Sequence, residues 1–549
     1  MGFESGRSER VARADLAGTV PPEVRLPAPM TSKPPHPLLP RTEVALYWLL
    51  SLGAHLYSFY HLHKFSKVHE RALERAFQLE PGLVKGFRRD ASDFEWTFWT
   101  EWAKKSLLWS LTGHAVVSRL TSIAVPKLRM AALTVYGVVA AAGVLGSRGV
   151  LVLLLHLSLS FCVAQLKTPA LCWSCNLLLL LSTLHLHELQ ELQRGWYQTE
   201  EEFYLLLFSV AVCGLRFISF SLDHCWSPRD GGALLQLGWL LSYTFYHPLF
   251  YNGPIITYSD YVHQMQRPAA ETKSGVTFLL LRAARLLLWW CIAECMIHVM
   301  YMHAIQSSQT YLEMLPPWAL GGLALALVQF FYVKYLVLFG LPSMLATLDG
   351  VVPPELPRCV SIMYSFTGMW RHFDKGLYRW LIRYIYLPLG GSRHGLLHKL
   401  LSSGLTFGFV CFWHGGHDYL QYWALMNWAG LLLETGFKSF FSLPWVQGPL
   451  ERRVPVMMRR RGLAFLSSFS TALLILSNLV FLGGIHVGTV FWRRVFLRGT
   501  SAVLLTFSQW PSARAAAWST RCEPPRQMDG RLSLLPAARW QPMLESVGT

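Results

Sequence analysis

The sequence predicts an all-α membrane protein that crosses the bilayer many times. Of its 549 residues, 52% are hydrophobic and only 15% are charged, whereas soluble domains average nearer ~25% charged residues. Apolar runs recur along the chain, and each crossing helix needs about 20 mainly apolar residues. We therefore expect roughly ten transmembrane helices, with re-entrant segments where a run is too short to cross.

The two ends of the chain lack this pattern. Residues 1–38 are rich in proline and predict a disordered leader, within which Met30 is a candidate initiator. Residues 498–549 are rich in arginine, proline and alanine and predict a disordered tail. The membrane body is expected over 39–497. No removable signal peptide is recognisable, so insertion is expected to depend on the first membrane helix.

The predicted membrane runs are joined by short loops, with one longer polar stretch. Between the first two runs, residues 61–97 alternate acidic and basic side chains, which favours an exposed or interfacial helix. The apolar runs lie near 43–60, 98–118, 129–145, 149–166, 170–187, 203–221, 233–251, 276–303, 316–340, 400–413, 419–434 and 463–483.

The basic charge is distributed as in a membrane protein. The chain holds 49 Lys and Arg against 32 Asp and Glu, a net charge of +17. Clusters such as Arg459, Arg460 and Arg461 fall between apolar runs, as expected for loops that face anionic cytoplasmic headgroups. The lipid bilayer is therefore the predicted partner, and nucleic acid is not.

One histidine closes an apolar run. His414 follows Trp413 and precedes Gly415 and Gly416. Imidazole titrates near neutrality and can take a proton from a nucleophile, and the glycines permit close approach of a substrate or of backbone. An interfacial residue in an aromatic belt with Trp413 explains the pattern equally well.

A second polar cluster lies about forty residues earlier. Lys375, Arg379 and Arg383 are four residues apart and share a helix face, which suits phosphate groups. Taken alone, these cations are better explained as part of a cytoplasmic loop, where Lys and Arg are enriched in membrane proteins. Asp374 is different, because a carboxylate among aromatic and cationic residues can orient a base or hold a substrate amine.

Other polar residues carry weaker signals. Cys172 and Cys175 have redox or metal spacing, but packing or acylation is favoured in an apolar helix without a second ligand pair. His298 and His303 lie five apart in a methionine-rich run and are expected to be structural. Phosphate-loop and GxSxG motifs are absent from the sequence, which leaves nucleotide hydrolase and serine hydrolase classes without support.

Long strings between about Leu39 and Leu497 resemble the membrane-bound O-acyltransferase family. They include SLGAHLYSFY, DASDFEWTFW, MYMHAI, FFYVKYLVLFG, SFTGMWRHFD, FWHGGHDYL and ILSNLVFLGG. That family's signature is an Asn or Asp in a loop before an embedded histidine. The likeness is greatest to members that palmitoylate the N-terminal cysteine of hedgehog proteins. It implies helices and re-entrant segments packed around a central tunnel.

The resemblance also implies roles for individual residues. His414 matches the catalytic histidine and Asp374 its partner acid, while Cys359 matches a cysteine that ligates haem b, although from sequence it could equally be packed or acylated. The candidate substrate-binding residues are Trp370 and Arg371 near the acyl-CoA site, Asn478 facing the reaction chamber, and Lys375, Arg379 and Arg383 toward the CoA phosphates.

The implied activity is transfer of palmitate from palmitoyl-CoA to the N-terminal cysteine amine of a hedgehog protein. The implied location is the endoplasmic reticulum membrane, with the Golgi as a second compartment. Direct N-acylation and S-acylation followed by migration to nitrogen both remain open. The rival hypotheses are a non-catalytic relative in the same pathway, a polytopic transporter, and a family member with a different acceptor.

Overall fold

The fold is helical, as predicted. The computed structural model describes residues 39–497 except 78, 84, 229–230, 268–275 and 394; the predicted leader 1–38, with Met30, and the predicted tail 498–549 lie outside the described residues. The one departure from an all-α fold in the described ranges is a short antiparallel pair of strands, β1 (Glu80–Pro81) and β2 (Arg88–Arg89). Glu80 lies opposite Arg89 in that pair.

The first half of the chain packs around α5 and α8, and α5 is broken at Gly146, where φ is +69° and ψ is 172°. A π-helical turn, Ala103–Leu107, joins α3 to α4, and short 3-10 turns occur at Pro126–Leu128 and His247–Leu249. The helices are α1 (Arg41–Val68), α2 (Glu70–Phe77), α3 (Phe94–Trp102), α4 (Leu108–Ala124), α5 (Arg129–Ala164), α6 (Pro169–Leu184), α7 (His187–Arg194), α8 (Glu200–Trp226), α9 (Ala233–Thr244) and α10 (Tyr258–Met265).

The second half is built on a long central helix, α14. A 3-10 turn at Val360–Ile362 and π-helical turns at Ile382–Tyr386 and Trp492–Leu497 complete it. The helices are α11 (Val276–Val299), α12 (Met302–Ser307), α13 (Gln309–Met314), α14 (Pro317–Leu348), α15 (Phe366–His372), α16 (Lys375–Leu381), α17 (Leu396–Trp413), α18 (Asp418–Phe441), α19 (Pro444–Arg453) and α20 (Val456–Phe491).

Several of these helices can cross a bilayer, which confirms a polytopic membrane protein. Five in the described ranges are long and apolar enough, at Pro126–Ala164, Glu200–Trp226, Pro317–Leu348, Leu396–Trp413 and Val456–Leu497. A sixth arises if α6 and α7, bent by 59°, form one broken span or re-entrant loop. The predicted count of ten crossings is not confirmed.

Two predicted apolar runs and the predicted polar helix between the first two runs have different boundaries in the structure. The run 98–118 is divided by the π-helical turn Ala103–Leu107. The run 276–303 is divided because Tyr301, with φ −83° and ψ 58°, leaves the helical region between α11 and α12. Within 61–97, α2 spans only eight residues before the strand pair begins, since Pro81 and the positive φ of Gly86 favour a hairpin there.

The central helix α14 packs against α1, α11 and α20. Close approach to α1 depends on Gly322, where an added Cβ would lie 2.3 Å from the carbonyl oxygen of Ser58. In the same half of the chain, α18 packs against both α17 and α20. The end of α17, the middle of α20 and the loop before α16 therefore meet beside α14.

Candidate active site

Asp374 is the residue that starts α16. Its side-chain oxygen Oδ1 accepts a 2.9 Å hydrogen bond from the backbone N–H of Leu377, the geometry of a helix N-cap. Gly376 packs against the backbone of Ile255, where an added Cβ would lie 2.5 Å from the carbonyl oxygen. The carboxylate is thus fixed by its own helix and by a neighbouring chain segment.

His414 directly follows the last residue of α17. Its backbone N–H donates to Val410 O at 3.1 Å, which completes that helix. The next two residues, Gly415 and Gly416, have φ of +107° and +69° and so turn the chain toward α18. The sequence pattern predicted that these glycines allow close approach of a substrate or of backbone; in the structure they form a helix-terminating turn.

Three aromatic rings surround the His414 imidazole. Their centroids lie 4.7 Å away for Trp413, 5.6 Å for Phe481 and 6.0 Å for Trp423. The histidine is nevertheless exposed, although protein atoms enclose it on nearly all sides. A small reacting group can therefore reach the imidazole among these rings.

Burial shifts the proton affinities of both candidate catalytic residues. The surrounding protein disfavours a charged imidazole and lowers the pKa of His414 to about 4. Burial raises the pKa of Asp374 to about 6, against the opposing effect of hydrogen bonds from Leu377 and Gly376. At neutral pH the histidine is a free base and Asp374 is ionised.

An aromatic wall connects the two residues. Phe481, beside His414, lies 6.0 Å from Phe331, which stacks at 5.1 Å on Phe373. Phe373 immediately precedes Asp374. Among the described residues, no hydrogen bond joins His414 to Asp374. The structure thus places both along one ring-lined wall without direct contact.

Trp370 belongs to the same wall, and its neighbour Arg371 is exposed. The Trp370 ring lies 5.8 Å from that of Trp423 and 4.9 Å from that of Phe407. Its indole N–H donates to Asn427 at 3.0 Å. Arg371 lies in the last turn of α15 and is exposed.

Asn478 lies one helical turn before Phe481 on α20. Its side-chain amide donates to Leu474 O of the same helix at 2.8 Å. The residue also lines a small cavity of about 30 Å³ together with Gln329 and Ser361. Positions three apart share a helix face, so Asn478 is adjacent to the rings around His414.

The three cations of the predicted phosphate-binding face have different surroundings. Lys375 forms an ion pair with Glu355. Arg383 donates two hydrogen bonds to Asp223, at 2.7 and 3.1 Å, and Arg379 is exposed. A role for these side chains with CoA phosphates stays a prediction.

The sequence interpretation missed a buried ion cluster beside the wall. Lys334, only 4% exposed in the middle of α14, lies 3.0 Å from Asp93 and 2.8 Å from Glu95. Tyr335 donates to Glu95 at 3.1 Å, and its ring lies 5.9 Å from Phe373. The sequence does contain a signal for this cluster, because a lysine within an apolar run marks a paired or functional site.

His185 is a second residue that was missed. Its Nε2 lies 3.0 Å from Phe412 O, and its ring stacks on that of Phe412 at 4.5 Å. It therefore supports the turn that carries His414. Of the other weak signals, Cys172 is buried with its sulfur 3.6 Å from that of Cys225, and His298 and His303 are buried.

The described residues give no support for a haem at Cys359. It is half-buried, precedes a 3-10 turn and packs against the apolar core beside α14. The cavity lined by its neighbour Val360 is about 30 Å³, far smaller than a porphyrin. The described ranges hold no group of three or more His, Cys, Asp or Glu side chains able to bind a metal ion. Haem ligation at Cys359 is therefore unsupported.

Comparison with known proteins agrees with this architecture. Residues 156–477 match the model of the membrane-bound O-acyltransferase family. The chain is 48% identical over 478 residues to the protein-cysteine N-palmitoyltransferase HHAT of Mus musculus, covering 85% of this chain and 96% of that one. It is 30% identical over 474 residues to the mouse HHAT-like protein, covering 84% and 91%.

A more distant relative is the Drosophila melanogaster protein-cysteine N-palmitoyltransferase Rasp. The identity is 30% over 302 residues, which covers 54% of this chain and 59% of Rasp. This similarity defines one class of protein. The structure agrees with it, since a histidine is enclosed at a helix end and an acidic residue lies in a preceding loop. The chain belongs to the membrane-bound O-acyltransferase family.

Proposed function

We propose that this chain is a protein-cysteine N-palmitoyltransferase of the endoplasmic reticulum membrane, with the Golgi as a second location. It moves palmitate from palmitoyl-CoA to the N-terminal cysteine amine of a hedgehog protein and thereby supports hedgehog signalling. The observation that carries the proposal is His414, which combines an accessible imidazole with an enclosing aromatic wall. Identity of 48% across nearly the whole length of HHAT supports the same activity.

His414 acts as the general base. The substrate nitrogen attacks the thioester carbonyl carbon, and the imidazole accepts the proton that this nitrogen loses. The C–S bond then breaks, and the proton passes from His414 to the departing CoA thiolate. A thioester is already activated, so alignment of the two substrates supplies much of the remaining rate enhancement.

The other residues of the wall prepare the site for this step. Asp374, ionised at neutral pH, stabilises the positive charge that develops on the attacking nitrogen or holds the substrate ammonium. Trp370 and the rings of Trp423 and Phe481 exclude water that would otherwise hydrolyse the thioester. Arg371 and Asn478 serve as polar contacts at the edges of the aromatic wall.

Arg379 is the cation best placed to meet a CoA phosphate, because its side chain is exposed. Lys375 and Arg383 are held by Glu355 and Asp223. They add to phosphate binding only if they leave or share those carboxylates. We therefore assign Arg379 the larger part of CoA recognition on this face.

The test is a peptide assay with the purified full-length chain in lipid nanodiscs. Palmitoyl-CoA is supplied with a hedgehog N-terminal peptide that begins with a free cysteine, and hydroxylamine-resistant palmitate is measured by mass spectrometry. An N-acetylated peptide is the control. The proposal expects an amide-linked product on the free peptide alone. Absence of that product, or equal acylation of the acetylated peptide, would overturn it.

A further inference from the structure

Glu434, on α18, joins three helices through one carboxylate. Its oxygen Oε1 accepts hydrogen bonds from the backbone N–H of Phe366, at 2.5 Å, and from the Ser470 hydroxyl, at 3.1 Å. Its Oε2 accepts from the backbone N–H and from the hydroxyl of Thr367, at 3.1 and 2.9 Å. Phe366 and Thr367 are the first two residues of α15, and Ser470 lies on α20. The carboxylate therefore fixes the start of α15 against α18 and α20.

Each of these three helices carries one ring of the aromatic wall. The Trp423 ring of α18 lies 5.8 Å from the Trp370 ring of α15 and 4.8 Å from the Phe481 ring of α20. Trp423 and Phe481 also flank His414. Glu434 lies eleven positions after Trp423, about 16 Å along α18. Any effect of Glu434 on the reaction must therefore pass through the helices that it joins.

The face of α18 that carries Glu434 packs along α15. Asn427, Gly430 and Glu434 are spaced by three and four residues and so share one helix face. At Gly430 an added Cβ would lie 2.5 Å from the Phe366 ring, so the two helices touch closely there. Asn427 accepts the 3.0 Å hydrogen bond from the Trp370 indole. This face of α18 thus holds α15 at its start and again near its end.

Contacts with its neighbours set the position of α15. The helix has only seven residues, and isolated helices shorter than about 12 residues are marginal. In an E434Q variant, an amide NH₂ group replaces one carboxylate oxygen and cannot accept a hydrogen bond. Whichever oxygen is replaced, the new group faces a backbone N–H of α15, since Oε1 faces that of Phe366 and Oε2 that of Thr367. The start of α15 is then held less tightly.

We propose that Glu434 is a positioning residue for acyl transfer, which holds the Trp370 ring against Trp423 and so keeps water from the thioester. This inference rests on the proposed palmitoyl transfer, in which these rings exclude water. Water that reaches the thioester carbonyl carbon forms a C–O bond as the C–S bond breaks, and its proton passes to the thiolate. The products are palmitic acid and the CoA thiol. Loss of Glu434 should therefore divert palmitoyl-CoA from transfer to hydrolysis.

The test measures the ratio of palmitic acid to amide-linked palmitate made by the full-length chain in nanodiscs, with palmitoyl-CoA and the free-cysteine peptide. Hydrolysis in empty nanodiscs is subtracted, so the ratio does not depend on the amount of folded enzyme. E434Q should raise it about five-fold. W370A removes the ring itself and should raise it at least as much. An unchanged ratio in E434Q would overturn the proposal.

A double variant shows whether Glu434 acts through Trp370. Residues that act as a unit have non-additive effects, so W370A/E434Q should exceed W370A by less than about two-fold in this ratio. A further rise of about five-fold in the double variant would overturn the proposal. T367V keeps the side-chain shape and removes one donor to Glu434. If E434Q fails to fold, T367V decides the test, with an expected rise of about two-fold, and an unchanged ratio would then contradict the proposal.

E70Q is the matched control for a loss of stability alone. Glu70 is also half-buried and accepts hydrogen bonds from Lys67 and Tyr301, which lie outside the aromatic wall. E70Q should lower the melting temperature and leave the ratio as in wild type; an equal rise in E70Q and E434Q would count against the proposal. If the wild type makes no amide, the proposed function fails, and hydrogen exchange of residues 366–372 decides the inference. Faster exchange there in E434Q than in E70Q supports it, and equal exchange overturns it.

Discussion

The indole N–H of Trp370 donates a 3.0 Å hydrogen bond to Asn427 Oδ1, which ties α15 to α18. Asn427 is 3% exposed and donates in turn to Trp423 O at 2.8 Å. Trp423 is one of the rings around His414. Trp370 therefore holds the aromatic wall in place as well as forming part of it.

Loss of this hydrogen bond should destabilise the protein. W370F keeps an aromatic ring but leaves the buried Asn427 oxygen unpaired, which costs about 1–3 kcal/mol. We expect a lower melting temperature and slower acyl transfer. The double variant W370F/N427L removes both partners and should recover part of the stability. A melting temperature unchanged in W370F would show that the hydrogen bond contributes nothing.

The pKa of Asp374 predicts a specific pH dependence of stability. Because burial raises that pKa to about 6 and the unfolded value is about 4, the folded protein favours the neutral carboxyl. Stability is therefore lost as the pH rises from about 4 to about 6. D374N cannot ionise and still caps α16. It should be more stable than wild type at pH 7, by at most about 3 kcal/mol.

Thermal unfolding at pH 4 and pH 7 checks this expectation. The gain of D374N should vanish at pH 4, where the wild-type carboxyl is also neutral, and its acyl transfer should be strongly reduced at both pH values. D418N, at an exposed position, is the control and should behave as wild type. A D374N variant that is equally destabilised at both pH values would contradict the account.

The Lys334 cluster should be essential for folding. K334M leaves the partly buried Asp93 and Glu95 without their cation, and removing one partner of a buried pair costs up to about 3–5 kcal/mol. We expect a severe loss of folded protein, measured by size-exclusion chromatography of a fluorescent fusion. K375M is the matched control, because Lys375 pairs with Glu355, whose side chain is 66% exposed. Equal yields from the two variants would refute the prediction.

The glycine after Asp374 and Lys375 should tolerate no side chain. An alanine at Gly376 would bring Cβ within 2.5 Å of Ile255 O and 2.7 Å of Ile255 N, so the two segments must separate. G376A should lower both the melting temperature and the acyl-transfer rate. G53A meets no atom within 4 Å and should be neutral or slightly stabilising. Wild-type activity in G376A would mean that Asp374 does not need this contact.

The hydrophobic pattern of the sequence predicts most of the helices, but it does not predict where they are interrupted. Long apolar runs such as those of α8 and α14 predict helices because apolar residues predominate over a length that suits a helix. The end of α11 at Val299 depends instead on the backbone conformation of Tyr301, and the strand pair depends on the turn near Gly86. Neither the π-helical turns nor these local breaks have a hydrophobic signature.

The candidate site likewise contains some residues that the sequence predicts and others that it does not. His414 and Asp374 could be predicted from sequence as candidates because polar residues at apolar boundaries are conspicuous and match a family signature. The aromatic wall that links them through Phe331 and Phe481 was not, since rings on separate helices meet only through tertiary packing. Lys334 was visible in its apolar run but was not singled out. Its partners Asp93 and Glu95 lie about 240 positions earlier, so the pairing itself could not be seen from the sequence.

The central claim is that His414 supplies the base. Palmitate transfer to the free-cysteine peptide should be compared for wild type, H414A and H417A, with each protein shown to be folded by its melting temperature. His417 is exposed three residues away and is the matched control. We predict that H414A loses about 10²–10⁴-fold in rate while H417A stays near wild type. Transfer by folded H414A at the wild-type rate would contradict the account.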